Sequence, residues 1–220
     1  MFTLNIRGQL RTYDRPAVMG IINATPDSFF AGSRAVTAAD AAARAVTELG
    51  ADIVNDISGG TLDEAMFETV AELNVPYILQ HMRGKPEDMQ DYATYGNVAA
   101  EVLSEIGERL GQLSLLGVND IIVDPGFGFA KNIDQNYELL AHLDLLKLLH
   151  RPILVGLSRK SMATGLLGIT PDDALEATTA LNTLALDRSA DILRVHDVRA
   201  AVQCVKIHQA VARYADKPNF

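Results

Sequence analysis

The sequence predicts an α/β fold of the TIM-barrel-like, parallel (β/α) type, shortened to about six βα units and preceded by an N-terminal β-hairpin. Short apolar segments alternate with longer segments of helical periodicity, which is typical of a parallel sheet with helical crossovers. Polar residues follow each apolar segment and do not precede it, so the candidate site groups share one rim, as in a (β/α) barrel. A doubly wound open sheet is the alternative architecture.

Each element has its own signal. Alternating side chains around Arg7-Gly8 predict a hairpin within residues 2–14, and six later apolar segments predict strands. The predicted strands are Val18–Ile22, Asp52–Val54, Tyr77–Leu79, Ile121–Val123, Ile153–Val155 and Ile192–Val195. The predicted helices run from about Thr37 to Gly50, Asp63 to Leu73, Val98 to Leu116, Gln135 to Leu149 and Pro171 to Leu186, with a last one ending near Tyr214. We expect one domain over 1–220, with the hairpin in 1–15 and the shortened barrel in 16–214.

Composition restricts the partners of the chain. A net charge of -9 argues against nucleic acid, whose binding proteins usually present a basic face. The single cysteine, Cys204, excludes an internal disulfide and a cysteine-rich metal site, which fits a reducing compartment. No segment reaches the ~20 apolar residues of a membrane span, and the first ten residues do not have the pattern of a signal peptide. We therefore expect a cytoplasmic protein without a membrane partner.

The most informative stretch runs from Ile121 to Lys131, with the sequence IIVDPGFGFAK. It predicts a strand buried on both faces with Asp124 at its carboxyl end, where α/β folds place their chemistry. An Asp before Pro-Gly also serves as a turn former. Taken alone, the motif leaves both interpretations open.

Six segments in order resemble the motifs of the dihydropteroate synthases. They are Met19–Phe29 (MGIINATPDSF), Asn55–Gly59 (NDISG), His81–Gly84 (HMRG), Asp124–Phe129 (DPGFGF), Ser158–Ser161 (SRKS) and Arg194–Val198 (RVHDV). The match extends from about Pro16 to the end of the chain. The methyltetrahydrofolate–corrinoid methyltransferases share the pterin-binding barrel, but they usually lack the TPDSF and SRKS segments and are the poorer match.

The resemblance implies a transferase of folate biosynthesis. Such an enzyme condenses 6-hydroxymethyl-7,8-dihydropterin diphosphate with 4-aminobenzoate, giving dihydropteroate and diphosphate. It implies Mg²⁺ as cofactor, with Asn23 as metal ligand, and diphosphate binding by Arg194 and His196. These two residues are two apart on a predicted strand, so they point the same way. Lys160, Arg194 and His196 are the expected catalytic residues.

The expected pterin-binding residues have matching chemistry. A pterin presents an edge of N–H donors beside a carbonyl, which a buried carboxylate and an ammonium can bind together. By resemblance, Asp124, Asn55 and Lys160 bind the pterin, and Gly156 lets the ring approach the backbone. The remaining expected substrate contacts, also by resemblance, are Phe129 beside the pterin or the aminobenzoate, and Ser158 and Thr25 at the aminobenzoate.

The resemblance also reveals a gap. Leu49–Asp52 leads directly into Asn55–Gly59, so the second and third βα units of the family are missing. A non-catalytic pterin-binding or scaffold remnant is therefore the alternative function. The strands on either side of the gap would be parallel edges, and unpaired edges invite association. We expect them to pair directly or to be covered in a homodimer, with a preference for pairing.

Overall fold

The computed structural model of the chain describes residues 1–21 and 37–215. The strands are β1 (Phe2–Ile6), β2 (Gln9–Tyr13), β3 (Ala17–Gly20), β4 (Val54–Asp56), β5 (Tyr77–Gln80), β6 (Ile121–Asp124), β7 (Leu154–Val155) and β8 (Ile192–Val195). The α-helices are α1 (Ala38–Thr47), α2 (Met66–Leu73), α3 (Val98–Leu115), α4 (Ile133–Ala141), α5 (Ser161–Leu167), α6 (Leu175–Asp187) and α7 (Val198–Ala215). Short 3₁₀ helices cover Met89–Tyr92, Leu143–Leu149 and Pro171–Asp173.

Strands β3 to β8 are parallel, and their neighbours follow the cyclic order of a barrel, in which the first strand lies beside the last. One three-stranded sheet has the order β3-β8-β7 and another has the order β4-β5-β6. A parallel bridge between Val123 and Ile153 joins β6 to β7. The combined order β3-β8-β7-β6-β5-β4 is the sequential order of a (β/α) barrel, which excludes the doubly wound alternative. The expected TIM-barrel-like α/β fold is confirmed.

The barrel has a seam between β3 and β4. Among residues 1–21 and 37–215, β3 pairs with β8 and β4 pairs with β5, and the two flanking strands do not pair with each other. The expected direct pairing across the gap is therefore wrong for the described chain. Closing six strands requires tighter curvature than closing eight, and the strands within residues 1–21 and 37–215 form an arc without a β3–β4 pair.

The N-terminal hairpin covers the amino end of the strands. Strands β1 and β2 are antiparallel, and the turn residues Arg7 and Gly8 both have positive φ. Leu4 and Ile6 are buried against a layer of inward-facing residues at the start of the strands. That layer consists of Ile78, Ile122, Leu154 and Ile192, with Ile53, Ala17 and Met19 partly buried at its margin. The hairpin closes this end, so a site is left for the carboxyl end.

A second and larger core lies between the strands and the helices. Tyr77, Leu79 and Val123 alternate with the inward-facing residues and pack outward against helices such as α3, whose Val102 and Ile106 are fully buried. The strands are thus apolar on both faces, as expected for a parallel sheet under helices.

The observed elements differ from the predicted ones most clearly at three places. The second barrel strand is Val54–Asp56 and lies two residues later than predicted, because Val54 rather than Asp52 pairs with Tyr77. Helix α4 ends at Ala141, and the apolar residues after it form a 3₁₀ helix. Helix α5 was not predicted, because seven residues are too few to show helical periodicity. Among the described residues, no helix is long and apolar enough to cross a membrane.

Candidate functional site

The site is the second inward-facing layer of the barrel, near its carboxyl end. Side chains alternate along a strand, so each residue two positions after the apolar layer also faces the interior. These residues are Asn55, Gln80, Asp124, Gly156 and Arg194. Four of the five are polar or charged, in contrast to the apolar layer below them.

Asp124 is the buried carboxylate of this layer. It is 0% exposed, and its Oδ1 accepts a hydrogen bond from the backbone N–H of Gly126 at 2.8 Å. Its Oδ2 lies 2.8 Å from Nη2 of Arg194. The angle of this ion pair does not make a hydrogen bond, so Oδ2 has no hydrogen-bond donor in the described part of the chain. A ligand that carries N–H groups therefore reaches Oδ2 only if it displaces the guanidinium of Arg194.

The guanidinium of Arg194 occupies the centre of the layer. Its Nη1 donates to Oδ1 of Asn55 at 2.9 Å, and its Nη2 donates to Oε1 of Gln80 at 3.4 Å. A Cβ at Gly156 would lie 2.8 Å from Nη2, so a larger residue there would collide with the guanidinium. Gly156 thus leaves room for a group close to the backbone, and in this structure that group is the guanidinium of Arg194. The expected approach of a pterin ring to Gly156 stays a prediction.

Lys160 and Phe129 form one wall of the site. Nζ of Lys160 lies 4.5 Å from the centroid of the Phe129 ring, which is a cation–π distance. Burial lowers the pKa of Lys160, although the Asp124 carboxylate acts in the opposite direction. Lys160 is the residue directly before α5, where a positive charge is disfavoured by the helix dipole. Its position suits an ammonium that binds a ligand.

Ser158 and His196 are joined by hydrogen bonds. The backbone N–H of His196 donates to Oγ of Ser158 at 3.3 Å, and the same Oγ lies 3.0 Å from Nδ1 of His196. Oγ has two acceptor lone pairs, so it can accept from Nδ1–H as well as from the backbone, and both neutral tautomers fit these distances. In the tautomer whose Nδ1 accepts the Oγ hydrogen, the ring hydrogen lies on Nε2, and the exposed imidazole can donate it to an anion.

The two polar residues that end β4, Asn55 and Asp56, have different roles. Asn55 faces the interior, whereas Asp56 is buried on the helix side and shapes its own loop. Asp56 accepts hydrogen bonds from the backbone N–H groups of Ser58 and Gly60 and from the hydroxyl of Tyr77, at 2.8, 2.7 and 2.7 Å. Burial, together with the Asp56 charge, raises the pKa of Tyr77.

A buried lysine fixes the loop that follows Asp124. Lys131 is 3% exposed, and its Nζ donates to the carbonyl groups of Gly126 and Phe129 at 3.1 and 3.0 Å. The same Nζ lies 3.0 Å from Nδ1 of His81. Burial lowers the pKa of Lys131 to about 7, although the charge of Asp124 acts in the opposite direction. Lys131 therefore positions both the Asp124 loop and the Phe129 wall.

His81 connects this lysine to helix α3. Burial and the charge of Lys131 lower the pKa of His81 to about 4, so its ring is neutral at pH 7. Nε2 lies 3.1 Å from Oε2 of Glu105, a carboxylate that also receives Arg83. Burial acts to raise the pKa of Glu105, but the hydrogen bonds of His81 and Arg83 outweigh it and lower the value to about 2. The HMRG segment thus supports the site without facing it.

The structure brings most of the predicted site residues together. Asn55, Asp124, Gly156 and Arg194 share one layer, and Lys160 stands over Phe129. Arg194 contacts Asp124 while His196 contacts Ser158, and the expected binding of diphosphate by these two residues stays a prediction. The predicted residues Asn23 and Thr25 lie outside the described residues.

Two residues of the site were missed from the sequence. Gln80 lies two positions after Ile78, and the repeated apolar-to-polar step from Ile122 to Asp124 is the signal that could have found it. Lys131 ends the IIVDPGFGFAK stretch, but a lysine in a loop usually indicates a solvated charge. Its burial depends on His81, which is 50 residues away.

A magnesium site is not formed by the described residues alone. No group of three or more His, Cys, Asp or Glu side chains within residues 1–21 and 37–215 is arranged to hold a metal ion. The carboxylate of the polar layer, Asp124, is already engaged by Arg194. We therefore derive no step through a metal ion.

The fold and the site together define a class of protein. It is a parallel (β/α) protein with a rim site in which a buried carboxylate faces a guanidinium and an ammonium, which suits a small planar ligand with N–H donors and an anionic group. The model of the family described as pterin binding enzyme matches residues 35–196. The chain belongs to this family.

Individual relatives agree with this assignment. Dihydropteroate synthase of Escherichia coli (strain K12) is 36% identical over 179 residues, which cover 80% of this chain and 63% of that protein. Dihydropteroate synthase of Synechocystis is 40% identical over 174 residues, covering 78% of this chain and 60% of that protein. The chain therefore spans less than two thirds of the length of these relatives. The resemblance to dihydropteroate synthases is confirmed.

Solved structures share the fold. Dihydropteroate synthase from Thermus thermophilus in complex with 4-aminobenzoate has a TM-score of 0.85 and 28% identity, covering 96% of this chain and 100% of that chain. Dihydropteroate synthase from Xanthomonas albilineans in complex with 7,8-dihydropteroate has a TM-score of 0.80 and 31% identity, covering 96% of this chain and 98% of that chain.

Proposed function

We propose that the chain is a dihydropteroate synthase that condenses 6-hydroxymethyl-7,8-dihydropterin diphosphate with 4-aminobenzoate. The observation that carries this proposal is the ion pair of Asp124 and Arg194 in the polar layer. The amino-pyrimidinone edge of a pterin has the same planar array of N–H groups as a guanidinium. Asp124 already binds such a group, and its Oδ2 is left without a hydrogen-bond donor in the described structure.

Pterin binding would then displace Arg194 from Asp124. The ring takes the place of the guanidinium against the carboxylate, and Gly156 leaves room for a planar group beside the backbone. The released guanidinium turns toward the diphosphate, together with Nε2 of His196. This exchange reconciles the observed contacts of Arg194 with its expected role as a diphosphate ligand.

Catalysis in this proposal rests on charge and position. A departing diphosphate develops negative charge, which Arg194 and His196 stabilise by hydrogen bonds, while the ammonium of Lys160 holds the pterin ring at its carbonyl. Departure breaks the bond between the pterin methylene and the diphosphate oxygen and leaves a delocalised cation, which the neutral amine of 4-aminobenzoate attacks. The nitrogen of the new C–N bond then gives up one proton to the released diphosphate or to water. Ser158 and Thr25 are the proposed contacts of 4-aminobenzoate. No general base is needed before attack, so the essential requirement is that both reactants are held in line.

We also propose Mg²⁺ as the cofactor, with Asn23 contributing an oxygen ligand of the kind this ion prefers. Loss of activity on chelation, and its return with Mg²⁺, tests this point.

A cytoplasmic location is supported by the single, buried Cys204 and is tested by cell fractionation. A homodimer in which a second copy covers β3 and β4 is supported by their unpaired edges and is tested by sedimentation velocity.

Product analysis tests the proposed reaction. The protein is incubated with Mg²⁺, the pterin diphosphate and 4-aminobenzoate, and dihydropteroate is measured beside the hydrolysed pterin alcohol. We expect dihydropteroate at a reduced rate and partial hydrolysis, because the open seam admits water and loosens the alignment of the reactants. A misplacement of about 1 Å can cost roughly 10²-fold in rate.

The control for this experiment is Asp124→Asn, which should abolish both products, beside Asp144→Asn on the exposed surface, which should change neither. Absence of dihydropteroate, whichever of the two substrates is added first, would contradict the proposed synthase. A non-catalytic pterin-binding or scaffold remnant is the second candidate, and the seam between β3 and β4 favours it. Pterin binding without turnover would identify that function.

A further inference from the structure

Gln80 carries a buried donor that the described structure does not use. Its side chain is 0% exposed at the end of β5. Oε1 accepts from Nη2 of Arg194 at 3.4 Å, whereas Nε2 is buried without a hydrogen-bond partner in the described part of the chain. A buried amide donor without an acceptor is costly and uncommon. The unused donor therefore indicates a ligand group that accepts a hydrogen bond.

The orientation of this amide follows from its partner. A guanidinium has donors and no acceptor, so the amide atom facing Arg194 is the oxygen and the other is the nitrogen. Strand register pairs Gln80 with Asp124, and both side chains reach the same Nη2 atom of Arg194. Gln80 and Asp124 therefore end neighbouring strands, and both side chains border the position that Arg194 occupies.

The strand order determines in which order the polar side chains of the site follow one another along its rim. Strand β5 pairs with β6, and β6 is bridged to β7. Gln80 ends β5, Asp124 ends β6, and Lys160 follows β7. A ligand edge at this rim therefore meets a donor, then a carboxylate acceptor, then a second donor. A pterin has the matching order, since its N–H edge is flanked by a ring nitrogen on one side and by the carbonyl oxygen on the other.

We propose that Gln80 is a specificity-determining residue whose Nε2 donates to the pterin ring nitrogen beside the 2-amino group. Lys160 binds the carbonyl on the opposite side, and Asp124 binds the N–H groups between them. This inference rests on the proposed pterin substrate and deepens it. A residue that only holds Arg194 in place would not favour one pterin ring atom over another. The proposed role of Gln80 therefore predicts a preference for a nitrogen at that ring position.

The test compares two ligands that differ in one ring atom. Calorimetry measures binding of 6-hydroxymethylpterin and of its 1-deaza analogue, in which C–H replaces the acceptor nitrogen. The unchanged protein should prefer the pterin by roughly 5- to 30-fold, the effect of one buried hydrogen bond. Gln80→Met should bind both ligands within about twofold of each other, while the exposed-site control Gln112→Met should keep the full preference.

A second variant separates the donor from the contact with Arg194. Gln80→Glu keeps an oxygen toward Arg194 and removes the Nε2 donor, so it should also lose the preference. Equal preference in the unchanged protein and in both variants would overturn the role of Gln80 while leaving pterin binding intact. Failure of the unchanged protein to bind 6-hydroxymethylpterin would overturn the proposed substrate itself, and the role of Gln80 with it.

Discussion

Asp124 is fully buried and, among the described residues, has Arg194 as its one partner at ion-pair distance, which makes it sensitive to a neutral replacement of the same shape. Asp124→Asn presents an amide donor to the N–H edge of the pterin and leaves Arg194 without its counter-charge. We expect pterin affinity to fall by about 2–4 kcal/mol, since a mispaired buried group is involved. Calorimetry measures this loss, with Asp144→Asn as the surface control. Affinity within a few-fold of the parent would mean that Asp124 has a purely structural role.

His81 makes the stability of the fold depend on pH. Its pKa in the folded state is about 4, below the ordinary value of 6.5. The unfolded chain therefore binds the extra proton more readily, and the free energy of unfolding falls as pH falls from about 6.5 to 4. The loss attributable to His81 is up to about 3 kcal/mol, because one unit of pKa corresponds to about 1.4 kcal/mol.

Denaturant unfolding between pH 4 and 7 measures this dependence. His81→Gln keeps an acceptor for Lys131 and a donor for Glu105 without a titrating ring. The variant should lose less stability than the parent across this range. Parallel pH profiles for the two proteins would show that protonation of His81 does not control the loss.

Among the elements, the loop from β6 to α4 depends most strictly on its backbone. Gly126 has φ +69°, and a Cβ there would collide with the carbonyl oxygen of His81. Its N–H also donates to Asp124. We expect Gly126→Ala to destabilise the fold by at least about 2 kcal/mol and to weaken pterin binding, because strained backbone and a collision add together.

Two other glycines separate these causes. Gly117 has φ +84°, and a methyl group added there would have no other atom within 4 Å, so Gly117→Ala tests the backbone angle without the collision. It should cost about 1–2 kcal/mol. Gly111 lies within α3 in open space, and Gly111→Ala should stabilise the protein by about 0.5–1 kcal/mol. Equal thermal shifts for Gly126→Ala and Gly117→Ala would contradict the role of the His81 contact.

Elements were predictable from the sequence where their pattern is long or strongly apolar. Strand β8 and helix α3 lie where expected, because an apolar run and an 18-residue amphipathic pattern leave few alternatives. Helix α5 is short and contains Gly165, and strand β4 ends in the polar Asn55-Asp56 pair, so neither pattern is clear. Asp124 was predictable because it follows an apolar strand. The support from Lys131 was not, since it depends on tertiary contacts.

At the scale of the whole molecule, the order of the strands was predictable and the closure of the barrel was not. Alternating strands and helices determine that each unit lies beside the next. Whether β3 meets β4 depends on the curvature and tilt of all six strands together. The sequence pattern of a single element carries no information about the combined curvature of the strands. The missing units therefore explain why β3 and β4 are neighbours at a seam, but the residues of these two strands did not reveal whether they would pair.

The contacts of Arg194 have one further consequence. Arg194 extends from β8, which belongs to the three-stranded sheet β3-β8-β7. Its polar partners lie in the other sheet, with one partner on each strand: Asn55 on β4, Gln80 on β5 and Asp124 on β6. In the described chain, a single bridge joins the backbones of these two sheets. The guanidinium therefore links the two sheets by side-chain contacts at their carboxyl end, in addition to the hydrophobic core that both sheets share. A ligand that takes Asp124 from Arg194 breaks one of these links, so occupancy of the site changes the polar contacts between the two sheets.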